Sequence, residues 1–146
     1  VEAAVAQGRA EGARLVAGGE RPADCDARGF YHRPTLFERV EPSMALAQDE
    51  SFGPVLSVIA FDSESEALAI ANGLAHGLTA GVFTRDLGRA MRDVRDLVAG
   101  MVRVKDWFLS PVQMPRVGVK ESGLGREQGM QALLNCVQVK SVGIRI

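Results

Sequence analysis

Between Gln48 and Val55 the chain reads QDESFGPV, so Asp49 and Glu50 stand just ahead of Phe52 and a Gly53-Pro54 turn, and the apolar run VLSVIAF follows. An ionised carboxylate only accepts hydrogen bonds, so one of the Asp49-Glu50 pair can take the two neighbouring hydroxyls of a ribose. The ring of Phe52 offers an apolar wall to a planar ligand beside it. Paired acids also serve as helix caps and ion-pair partners, and that structural reading stands beside the binding one.

The other chemistry-bearing residues carry weaker patterns. SGLGREQG, Ser122 to Gly129, leads glycines toward a helix start, where free N–H groups can hold a phosphate. A dinucleotide fingerprint needs G-x-G-x-x-G directly after a strand, whereas this run reads Gly123-x-Gly125-x-x-x-Gly129 after a loop. Its glycines are read as allowing a tight loop to pack on a neighbouring element. His32 and His76 have no second ligand at metal-binding spacing, and neither is assigned a role. Cys25 lies in a polar loop and Cys136 on the apolar side of a helix, where it reads as a small buried hydrophobe. Neither sits in the Gly-rich, helix-start setting that makes a thiol nucleophilic.

These residues need elements to hold them. Residues 1–15 have a helical apolar pattern, and RLVAGG passes into a short strand. RPTLFERV and GPVLSVIAF read as strands. Ser63-x-x-Glu66 is a capping box for a helix that ends near Asn72-Gly73. LTAGVFT is the next strand, Asp86 caps a helix carrying Leu87, Met91, Val94 and Val98, and MVRVKDWF is the strand after it. A functional loop spans 109–125, a last helix covers about 126–136, and VQVKSVGIRI alternates as a terminal strand does. Strands alternating with helices predict an α/β fold with a mainly parallel sheet and flanking helices.

With 146 residues, 47% of them apolar, the chain can bury a core. A net charge of −1 with interspersed signs argues against nucleic acid as a partner. No apolar run approaches the roughly 20 residues that cross a bilayer, so no membrane is expected. Two distant cysteines fit a reduced, cytoplasmic setting. The pattern opens at Val1 inside a helix, so the chain is read as a segment of a longer polypeptide.

The segments QDESFGPVLSV, AGVFTRDLGRAMR, LVAGMVRV, GVKESGLGREQG and QVKSV, preceded by EGARLVAGG and GFYHRPTLF, occur in the order and spacing of the C-terminal part of aldehyde dehydrogenases. The chain resembles that family along essentially its whole length. The resemblance implies oxidation of an aldehyde to a carboxylic acid with NAD or NADP, through a cysteine nucleophile. It assigns Glu50 to the nicotinamide-ribose hydroxyls and Phe52 to the wall beside that ribose and the nicotinamide. It places Trp107 and Phe108 in the loop near the substrate entrance and Arg116 in the aldehyde pocket.

The resemblance also places the nucleophilic cysteine, the catalytic glutamate and the Gly-rich cofactor domain before Val1, so no residue here is assigned as catalytic and the chain alone is expected to be inactive. Residues 1–136 are read as part of the catalytic domain and 137–146 as an interface strand of a homo-oligomer, a dimer or tetramer. Arg103 and Lys105 stand where the family usually has tryptophan and asparagine, and Arg116 and Val117 where it has phenylalanine and glycine. An arginine in that pocket must be solvated or paired. It suits either an anionic aldehyde or a non-catalytic remnant that acts only as an interaction or oligomerisation module.

Overall fold

The computed structural model describes residues 1–26, 28–107 and 111–146. They form two compact units, Val1–Leu74 and Ala75–Ile146.

In the first unit, α1 covers Glu2–Ala10 and buries Val5 and Gly8. It stops five residues short of the expected end at Leu15, because Gly12 turns left-handed with φ of 96°. There the N–H of Gly12 reaches the Arg9 carbonyl at 3.2 Å and that of Ala13 reaches Gly8 at 3.0 Å. This pair of bonds satisfies the last carbonyls of a helix and needs a residue that tolerates positive φ. The chain leaves as β1, Arg14–Ala17, antiparallel to β2, Thr35–Glu38. A one-turn helix, α2, Ala45–Gln48, then carries it to β3, Val55–Ser57, which runs parallel to β2. The apolar pattern does not predict α2.

Phe37 on β2 is fully buried and packs with Val5, Ala13 and Val40, closed over by Leu15, Leu46, Val55 and Ile59. Thr35, also buried, has its hydroxyl satisfied twice: it accepts from the Gly19 N–H at 2.8 Å and donates to the Arg33 carbonyl at 2.8 Å. The unit ends with α3, Glu64–Asn72. Its predicted capping box forms, with Ser63 Oγ accepting the Glu66 N–H at 3.2 Å; Glu66 reaches back one residue further than expected, to the Asp62 N–H at 2.7 Å.

The second unit begins with β4, His76–Gly77, and β5, Thr79–Val82. The helix α4, Leu87–Asp96, crosses to β6, Met101–Val104, which lies parallel to β5 over four residue pairs. Asp86 caps α4 as predicted, its carboxylate accepting the Arg89 N–H at 3.0 Å. Beyond it are β7, Arg116–Val117, β8, Val119–Lys120, β9, Arg126–Glu127, and α5, Gly129–Asn135. Here β4 pairs with β8 and β7 with β9, both antiparallel. The mixed α/β class is as expected, with parallel pairing confined to β2–β3 and β5–β6 among the described strands.

Three local expectations differ from the structure. The last helix starts at Gly129, since Arg126 and Glu127 pair with β7 instead. Cys136 is exposed at the end of α5, because that helix has no buried face among the described residues. Residues 137–146 form no strand, and Val139, Val142, Ile144 and Ile146 are open to solvent: an alternating segment becomes a strand only where an edge receives its N–H and C=O groups.

Ala90 is the single buried hydrophobic among the described residues of the second unit, while Phe83, Leu87, Met91, Leu124, Leu133 and Leu134 are more than half exposed. Apolar surface of that extent associates in water. The 146-residue chain on its own is therefore expected to bind an apolar dye and to elute above its monomer mass; a monomer with a sharp unfolding transition and little dye binding contradicts this. The Asp86 carboxyl lies below the usual carboxylate range, chiefly through the N–H of Arg89, which outweighs the opposing effect of burial with smaller help from the Gly88 N–H and the charges of Arg92 and Arg89. A depressed folded-state value stabilises α4 above the ordinary carboxylate pKa, and that contribution disappears as pH falls through the folded value. An NMR titration of Asp86 with α4 amide exchange is expected to show both together, and Asp86→Asn to abolish the dependence.

Candidate functional site

The stretch that carries Glu50 and Phe52 leaves α2 at Asp49, whose N–H donates to the Ala45 carbonyl at 2.8 Å and whose backbone is already extended. Phe52 then adopts φ of 42°, uncommon for a residue with a Cβ. Its ring is 89% exposed. Just beyond, the Pro54 carbonyl accepts the Thr35 N–H at 2.8 Å, fastening the turn to β2. The strained residue is thus bracketed by fixed points, a pattern found where a side chain is presented to a ligand.

Glu50 lines a hollow of about 420 Å³ between α1 and α2, with Ala3, Ala4 and Gln7 on one wall and Ala45, Leu46, Asp49 and Ser51 on the other. The two helices approach closely because α1 has a glycine where Leu46 crosses it. A Cβ at position 8 would overlap the Leu46 side chain. Among the described residues nothing donates a hydrogen bond to the exposed Glu50 carboxylate, which is therefore open to a hydroxyl-bearing ligand. No described group of three or more His, Cys, Asp or Glu side chains could hold a metal ion.

Two residues that sequence reasoning passes over support this hollow. Gln7 Nε2 donates to Glu11 Oε1 at 2.7 Å, and Glu11 Oε2 accepts the Ala45 N–H at 2.9 Å. The spacing of four on α1 signals the first bond. Nothing local signals the second, which joins residues 34 apart.

Trp107 and Arg116 belong to the second unit. The Trp107 ring lies over Gly81 of β5, where a Cβ would stand 2.9 Å from a ring carbon, and the backbone N–H of Trp107 donates to the Asp106 carboxylate at 2.6 Å. Half of the residue is exposed. Arg116 is exposed on β7, opposite Glu127 of β9. Arg103 lies opposite Gly81 on β6, and Lys105, with φ of 55°, ends that strand by donating to the Val82 carbonyl at 2.8 Å. Val117 packs its backbone against Gly100. Phe108 lies outside the described residues.

The glycine-rich loop 122–129 turns its carbonyl groups onto its own arginine. Arg126 Nη1 donates to the Leu124 carbonyl at 2.9 Å and the Gly125 carbonyl at 2.8 Å, with Gly118 at 3.4 Å. Carbonyl oxygens converging on a guanidinium are the reverse of a nest of N–H groups. His32 has its Nδ1 at 2.9 Å from the Arg33 carbonyl, so that nitrogen carries the proton and the ring is held by its own strand entry.

A sequence model of the aldehyde dehydrogenase family matches residues 1–142. The chain belongs to that family. It is 49% identical over 142 residues to the betaine aldehyde dehydrogenase of Cereibacter sphaeroides and 46% identical over 142 residues to that of Rhizobium leguminosarum bv. trifolii, and in both cases 97% of this chain aligns with 29% of the relative. Its fold matches indole-3-acetaldehyde dehydrogenase of P. syringae, solved with NAD+, at a TM-score of 0.92 and 40% identity, covering 99% of this chain and 29% of that one. It matches Staphylococcus aureus betaine aldehyde dehydrogenase, also solved with NAD+, at a TM-score of 0.87 and 38% identity, covering 92% of this chain and 27% of that one. The chain spans less than a third of the length of these relatives.

Trp107 is the sole tryptophan, so its contact with Gly81 can be followed directly. Gly81→Ala is expected to push the ring outward and shift its fluorescence to longer wavelength; an unchanged spectrum would place the ring elsewhere.

Proposed function

We propose that this chain is the C-terminal part of an NAD(P)-dependent aldehyde dehydrogenase and carries the contact to the cofactor's nicotinamide ribose. The observation that carries the reading is the pairing of an unengaged Glu50 carboxylate on the hollow with a Phe52 ring turned outward by a positive φ two residues away. A diol needs an acceptor with two oxygens, and a flat, partly apolar ring needs a wall. Both are present on one short segment whose far end is tied to β2. When bound, the nicotinamide supplies the hydride acceptor for aldehyde oxidation. Glu50 orients the ribose by accepting its hydroxyls, and Phe52 keeps water from that face.

Trp107, Phe108 and Arg116 are assigned to the aldehyde side of the site. The nucleophilic thiol is assigned to polypeptide outside this chain, since Cys25 and Cys136 fall outside the positions that the family resemblance gives it. Residues 1–136 act as part of the catalytic domain. Residues 137–146 serve as a strand that completes a sheet edge in a homo-oligomer, a role that suits their alternating, solvent-open side chains. A cytoplasmic location suits two free cysteines, and no helix among the described residues is long and apolar enough to cross a membrane.

The test uses residues 1–142 grafted into the Cereibacter sphaeroides relative in place of its matching segment. Glu50→Gln in that protein is expected to raise the Kd for NAD+ roughly ten- to hundredfold, the loss typical of a hydrogen bond to a charged group, with the melting temperature retained. Unchanged affinity and turnover would reject the assignment.

A further inference from the structure

The one-turn helix α2 delivers Glu50 to the hollow, and a four-residue helix has no stability of its own. Its place must come from outside it. Met44, at its start, contributes no side-chain cap. Its first N–H, on Ala45, instead donates to Glu11 Oε2 at 2.9 Å. The other Glu11 oxygen accepts from Gln7 at 2.7 Å, which holds the carboxylate in one orientation on α1. The carbonyl of the same Ala45 accepts the Asp49 N–H at 2.8 Å, and the next residue is Glu50.

From this run of bonds we infer that Glu11 is a positioning residue for the cofactor site, fixing α2 on α1 so that the Glu50 carboxylate meets the hollow. The inference rests on the assignment of Glu50 made above. Packing alone leaves one freedom open. Leu46 over Gly8 sets how near the helices come, Met44 and Ala47 pack on the same core, and the Ser57 hydroxyl donates to the Leu46 carbonyl at 3.2 Å, but none of these fixes rotation at the first N–H of α2. A charge-assisted bond at Ala45 removes that rotation at the residue whose carbonyl anchors Asp49. Glu11 touches no reacting atom and acts only through the backbone that carries Glu50.

The experiment uses the same graft and five proteins: the parent, Glu11→Ala, Glu50→Gln, the double variant of those two, and Glu11→Gln as a conservative rescue. Glu11→Ala is expected to raise the Kd for NAD+ about tenfold while the KM for the aldehyde stays within about twofold, and Glu11→Gln, which keeps an acceptor for the Ala45 N–H, to restore most of the affinity. In the Glu50→Gln background, Glu11→Ala is expected to cost nothing further, because its effect passes through the group already removed. Multiplying losses in the double variant, or an equal rise in the aldehyde KM, would show a general structural role and overturn the inference. If Glu50→Gln leaves the Kd unchanged, the assignment of Glu50 fails; if it weakens binding while Glu11→Ala does not, only the role of Glu11 fails. Hydrogen exchange adds a readout independent of turnover. The Ala45 and Asp49 amides should exchange faster in Glu11→Ala, and unchanged exchange refutes the positioning role even in a graft that binds no NAD+.

Discussion

Position 8 has no room for a side chain, and much of the first unit follows from that. With a hydrogen there, Leu46 lies directly on α1, and the short α2 becomes a lid over the Phe37 core instead of a loose turn. Closing the two helices does two things at once. It covers Val5, Phe37 and Val40, the main source of stability in a unit of this size, and it leaves the shallow hollow at one end where Glu50 emerges. Stability and site therefore share one contact. The sheet enters the same arrangement through β2, which buries Phe37 on one side and takes the Pro54 carbonyl at its start.

The exposed acid and ring depart from the rules that build a core. A large aromatic left in solvent and a residue held at positive φ both cost free energy in the folded chain. They persist because the surrounding segment gives the backbone no alternative: Asp49 is bonded to α2 and Pro54 to β2, and the intervening residues must turn within that span.

The second unit shows the same economy with opposite chemistry. Its glycine-rich loop, which in outline suggests a phosphate cradle, turns carbonyl groups onto the Arg126 guanidinium instead. Trp107 lies on Gly81, a contact that a side chain at 81 would block. Apolar side chains of α4 and α5, among them Leu87, Met91, Leu133 and Leu134, lie open to solvent in a chain that spans 29% of its relatives.

Features governed by neighbours in sequence were legible without coordinates. The Ser63–Glu66 box, the Asp86 cap, the parallel β5–α4–β6 unit and the family membership carried by QDESFGPV and its companion segments depend on spacings of a few residues, and such spacings survive into any fold that uses them. Boundaries were less legible: α1 stops at Gly12 because a pair of end bonds outcompetes another helical turn, and Arg126 joins β7 because a strand edge was available to it. Cys136 shows why pattern alone overreaches, since an apolar face is realised only when a partner surface exists. The amino-acid order by itself determined the class, the caps and which acid and ring stand together on one short segment. Only the tertiary structure decided where they point, because the bond from Glu11 to Ala45 joins residues 34 apart, and no local spacing encodes which distant N–H a carboxylate will find.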